Sequence, residues 1–86
     1  MRIERIDNST FDVTVEAGMT TTHRVTISDE YWRKLTGGKV SKEDLLKASF
    51  NFLLEHESNT SILSRFDLPV IGTYFPQYER EVKKSV

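Results

Sequence analysis

Phe11-Asp12-Val13-Thr14-Val15-Glu16-Ala17-Gly18-Met19-Thr20-Thr21-Thr22-His23-Arg24-Val25-Thr26-Ile27-Ser28 alternates apolar and polar side chains on both sides of one glycine. Period two puts Phe11, Val13 and Val15 on one face of a strand and Asp12, Thr14 and Glu16 on the other. Past Ala17-Gly18-Met19, where the glycine can take a positive φ, Thr21, His23, Val25 and Ile27 alternate with Thr22, Arg24 and Thr26. The pattern predicts an antiparallel hairpin over residues 10–28, which a strand from Ile3 to Ile6 can widen to three strands. A hairpin alone is barely stable in water, so its apolar face needs a cover.

The cover follows in the sequence. Ser28 before Asp29 and Glu30 reads as an N-cap followed by acids that suit the positive end of a helix, which runs to about Leu35 and closes on Gly37-Gly38. Ser41-Lys42-Glu43-Asp44 matches a capping box and opens a second helix over residues 42–57. Its apolar residues (Leu45, Leu46, Phe50, Phe52, Leu53, Leu54) cover more than one stripe, so it is expected either at the centre of the fold or at a subunit interface. Ile62, Leu63 and Phe66, spaced i, i+1, i+4, suggest a short third helix. Asp67-Leu68-Pro69 then opens a fourth, with Ile71, Tyr74 and Phe75 before Pro76. The charged tail from Tyr78 could extend helically through Val82, but residues 79–86 are expected to fray.

At 86 residues with no cysteine, the chain has material for one domain and none for disulfides, thiolate zinc sites or cysteine nucleophiles. Twelve basic residues against thirteen acidic ones leave no global field for a polyanion, so nucleic acid is not an expected partner. No apolar leader core and no run of eighteen apolar residues is visible, and a cytoplasmic location without a membrane partner is expected. The sequons at Asn8 and Asn59 therefore read as turn and cap residues.

Motifs for chemistry are missing. Thr36-Gly37-Gly38-Lys39 lacks the earlier glycine, the following hydroxyl and the preceding strand of a phosphate loop. His23 and His56 are the only histidines, and His56-Glu57 is not followed by the second histidine of a zinc helix. His56 suits the negative end of its helix and His23 a half-buried strand position. No nucleophile elbow occurs, and the acid pairs at residues 29–30 and 43–44 sit at helix starts. No cofactor, metal or catalytic residue is expected; an active site would need converging polar groups in a pocket.

Two binding readings remain. Phe50, Leu53, Leu54, Tyr74, Phe75 and Tyr78 could form an apolar interaction surface, with another protein or a second copy of the chain as partner, although Tyr74, Phe75 and Tyr78, like Tyr31 and Trp32, also read as core aromatics in so small a domain. Strand, helix and helix over residues 23–57 also repeat the order of ribbon-helix-helix DNA binders, in which a dimer's paired strands would present Arg24 and Thr26 to bases.

Leu35-Thr36-Gly37-Gly38-Lys39-Val40-Ser41, Ser49-Phe50-Asn51-Phe52-Leu53-Leu54-Glu55, Ser61-Ile62-Leu63-Ser64-Arg65-Phe66-Asp67-Leu68 and Tyr74-Phe75-Pro76-Gln77-Tyr78-Glu79 together resemble a family of short bacterial proteins of unknown function. The resemblance spans about Leu35 to Glu81 and implies a bacterial cytoplasmic protein, with no activity or site residue to carry over. The expected architecture is α+β: an antiparallel hairpin, with or without a third strand, packed against three to four helices. The expected function is a small non-enzymatic protein-interaction module, with a dimeric DNA-binding regulator or antitoxin-like protein as the alternative.

Overall fold

A computed structural model describes all of residues 1–86. Its order is β1 (Arg2–Arg5), β2 (Thr10–Ala17), β3 (Met19–Thr26), α1 (Asp29–Thr36), α2 (Lys42–His56), a 3-10 turn (Asn59–Ser61), β4 (Arg65–Asp67), α3 (Val70–Tyr74) and α4 (Tyr78–Ser85). The fold is α+β, and the four strands form one sheet in sequence order. β1 and β2 are antiparallel, as are β2 and β3, and β4 joins β3 in parallel.

Gly18 turns the hairpin at φ 83°, which lets Ala17 pair with Met19 and puts Val13 opposite His23 and Phe11 opposite Val25. This register gathers Phe11, Val13, Val15, His23 and Val25 on one buried face, where Ile27 continues the core. The other face stays open and polar, with Asp12 and Arg24 paired side by side and Thr14 beside Thr22. The β1 edge carries exposed Arg2 and Glu4, charges that discourage pairing with another sheet.

The first two helices start at caps read from sequence. Ser28 Oγ accepts the Tyr31 N–H, and Gly37, at φ 66°, closes α1 by donating its N–H to Arg33 O. Ser41 Oγ accepts the Asp44 N–H at the start of α2. Lys42, the first residue of α2, is buried against the expectation for a surface cation. Its Nζ donates to Asn8 O at 2.6 Å and to Asp29 Oδ1, tying the β1–β2 loop to both helices. That ammonium holds the Asp29 carboxyl below the usual aspartate range.

The broad apolar face of α2 is used within the chain. Phe50 faces the sheet, 5.6 Å from the His23 ring and 6.2 Å from Phe66, while Phe52 packs edge-on to Tyr78 of α4 at 5.5 Å. The tail continues this packing as a helix. Residues 78–85 are helical, with Tyr78 and Val82 buried against α2 on the apolar stripe that i, i+4 spacing creates. Tyr31 of α1 donates its hydroxyl to Glu79 Oε2 at 2.8 Å and fixes the other side of α4.

The expected third helix is absent. Ile62 and Phe66 are buried while Leu63 is exposed, and the segment runs from a 3-10 turn into β4. An interval of four is even, so it keeps two side chains on one face of an extended chain as readily as on a helix. Pairing with β3 decides the conformation: Arg24 N–H donates to Ser64 O at 2.8 Å and Leu68 N–H to Thr26 O at 2.9 Å.

Candidate functional site

The six residues expected to form an apolar surface separate by burial. Phe50 and Tyr78 are core, Phe50 between α2 and the sheet and Tyr78 between α2 and α4, while Leu53 is buried but lines the floor of a groove. Leu54 and Phe75 are half-buried, and Tyr74 is 66% exposed. Tyr78 keeps a polar partner inside the core. Its hydroxyl lies 2.7 Å from Ser49 Oγ, which itself donates to Leu45 O at 2.7 Å. Burial pushes the Tyr78 phenol well above its ordinary pKa.

Arg24 and Thr26 do not lie on a free ribbon. β3 is bonded to β2 along one edge and, over Arg24 to Thr26, to β4 on the other, so the stretch that carries Arg24 and Thr26 has no free edge for a second copy's β3. Arg24 is held by Asp12 through two hydrogen bonds of 2.9 and 3.0 Å, an arrangement that orients the guanidinium along the sheet. The paired-strand geometry that a ribbon-helix-helix reading requires is therefore not available to this fold.

What the helices leave uncovered is the sheet's β4 end. There the C-terminal turn of α2, the segment after the 3-10 turn, β4 and α3 enclose an apolar groove of about 350 Å³. Leu53, Ile62, Phe66 and Ile71 make its floor as extensions of the core, and Leu63 and Tyr74 stand on its rim. Eight of its ten lining residues are hydrophobic, and Glu57 and Ser61 are the polar ones. The volume lies within the range of small-ligand and side-chain pockets.

The wall of this groove is pinned by a polar network that the sequence did not reveal. His23 Nδ1 lies 2.7 Å from Leu63 O, and because a carbonyl only accepts, Nδ1 carries the proton. His23 Nε2 is then the acceptor for Thr21 Oγ1 at 2.8 Å. Asn59 Nδ2 donates to Thr21 Oγ1 at 2.9 Å and to Met19 O at 2.8 Å. Asn59 is thus a buried clamp between the 3-10 turn and the hairpin, more than the turn residue its sequon context suggested. Every buried side-chain polar atom has a partner, so the network is complete.

A second hollow, about 550 Å³, lies between α2 and α4. It is lined by Asp44, Lys47, Glu55, Glu81 and Lys84, charges of both signs that offer no single ligand chemistry. No group of three or more His, Cys, Asp or Glu side chains converges in a way that could hold a metal ion. No helix is long and apolar enough to cross a membrane. Comparison with protein-family models, with curated proteins and with solved structures returned no match.

Proposed function

We propose that the protein is a small non-enzymatic interaction module that binds a segment of another protein in the groove between α2, β4 and α3. The observation that carries this reading is Tyr74: a large aromatic side chain, 66% exposed, on the rim of an open apolar groove whose floor is continuous with the core. Leu63, 46% exposed, stands on the same rim. Single exposed apolar residues need no explanation, but two of them bordering one concave apolar surface make a contiguous patch of the kind used for docking.

A rigid floor suits the role. A groove whose wall is already held by His23 and Asn59 does not have to be ordered when a partner arrives, so less of the contact energy is lost on binding. The resemblance to short bacterial proteins supports a bacterial cytoplasmic setting for this activity.

The test is selection of binders from a random peptide display library, repeated on the V70E variant. Val70 lines the groove and is only half-buried, and an acid at the start of a helix is compatible with its dipole. Selected peptides are expected to lose binding to V70E. Peptides that bind V70E and the parent chain equally would place the binding surface elsewhere and end this reading.

A further inference from the structure

The groove's only charged lining residue, Glu57, sits where the chain's own helix chemistry argues against an acid. It caps the C-terminus of α2, the negative end of a 15-residue helix. Elsewhere the chain follows the opposite rule: α1 ends with Arg33 and Lys34, and α4 with Lys83 and Lys84. The last turn of α2 has only His56, whose ring is packed 5.3 Å from Phe75 and 4.6 Å from Phe52.

Nothing in the chain neutralises this pole. Leu53 O accepts the Glu57 N–H at 2.9 Å, but the carbonyls of Leu54, Glu55 and His56 accept no backbone N–H. The Glu57 carboxylate takes part in none of the four ion pairs and accepts no side-chain hydrogen bond. A carboxylate and a helix's negative end therefore converge, unpaired, at the mouth of an apolar groove. Local electrostatic rules broken without compensation inside a fold are commonly satisfied by a ligand.

We infer that the occupant of the groove is a segment of another protein in which a bulky apolar side chain is closely followed by a lysine or arginine. The apolar side chain enters between Leu53, Ile62, Phe66 and Ile71, and the cation pairs with Glu57. This inference rests on the docking reading above and adds the chemistry of the docked segment. A second copy of the chain fits less well. Tyr74 lies in Val70-Ile71-Gly72-Thr73-Tyr74-Phe75-Pro76-Gln77-Tyr78, which contains no charge, and the other exposed rim residue, Leu63, is followed by Arg65 but sits in a segment held to its own sheet through Leu63 O on His23 and Ser64 O on Arg24.

The test is titration of the ¹⁵N-labelled chain with three matched peptides, acetyl-Gly-Ser-Trp-Xaa-Ser-Gly-amide with Xaa as Lys, Gln or Glu, followed by amide chemical shifts. The Lys peptide is expected to shift the amides of Leu53, Ile62, Val70 and Ile71 and to bind about three- to fivefold more tightly than the Glu peptide, the scale of one exposed ion pair. In E57Q, which loses no contact within the fold, that preference should vanish while the shifts at the same amides remain. Equal binding of all three peptides to the parent chain would overturn the cation requirement and leave the docking groove standing. Shifts confined to other surfaces, or none at all, would overturn both. Concentration-dependent broadening of the same amides without peptide would assign the groove to a second copy and also overturn the inference.

Discussion

His23 and Leu63 are joined across 40 residues by a 2.7 Å hydrogen bond from the imidazole Nδ1–H to the Leu63 carbonyl oxygen. The bond runs from the buried face of the hairpin to the rim of the groove, so one side chain serves both the core and the candidate site. It fixes the segment that leads into β4, and it leaves the Leu63 side chain facing outward.

Replacing His23 with leucine keeps the volume and removes both hydrogen bonds, leaving the Leu63 carbonyl without its donor and the Thr21 hydroxyl without its acceptor. The expected loss is about 2–3 kcal/mol in urea unfolding, the scale of one or two orphaned buried groups. Hydrogen exchange should quicken over residues 62–65 before the hairpin is affected. Unchanged exchange there would show that the groove wall is held by something other than His23.

Ser49 and Tyr78 give an asymmetric pair of variants. The Ser49 hydroxyl donates to Leu45 O, so the Tyr78 hydroxyl donates to Ser49. Y78F removes a donor and leaves Ser49 satisfied, at an expected cost of about 1 kcal/mol or less. S49A leaves a buried phenol with no acceptor and should cost about 1–3 kcal/mol. Thermal melts of the two variants decide the order; equal losses would mean that water reaches the site.

Acid should weaken the fold through the sheet's outer face. Hydrogen bonding to Arg24 holds the Asp12 carboxyl below its ordinary value of 3.8. Because the folded value is the lower one, the stabilisation is present above pH 3.8 and is lost as pH falls from there through the folded value. In D12N this part of the acid limb should disappear, so the ratio of D12N to parent stability rises as the solution is acidified below pH 3.8. A pH profile in which the two chains stay parallel would show that the Asp12–Arg24 pair contributes nothing to folding.

Local patterning made the first half of the fold readable. Alternation about Gly18 gave the hairpin, and Ser28 and Ser41 marked two helix starts, because in each case the deciding contacts lie within a few residues. The β4 segment was not readable, since its short run of apolar residues fits two periods and its partner β3 is distant in sequence. The tail's helix was hard to read for a related reason: only Val82 and Val86 are apolar among the eight residues after Tyr78, and the burial of Val82 depends on α2 being in place. Of the six residues proposed as a surface, Tyr74 alone proved strongly exposed, because aromatic density cannot distinguish a core from a patch. Glu57, Asn59 and His23 escaped notice as site residues, since their importance comes from tertiary neighbours.

The docking groove is tested most directly by in-cell photo-crosslinking with p-benzoylphenylalanine placed at position 74, against the same residue at position 19. Tyr74 and Met19 are matched in exposure, 66% and 68%, but Met19, the first residue of β3, does not line the groove. A discrete adduct with another protein from position 74, absent from position 19 and lost when V70E is added, is the predicted result. Equal labelling from both positions, or an adduct at 74 that persists in V70E, would contradict a binding site in the groove.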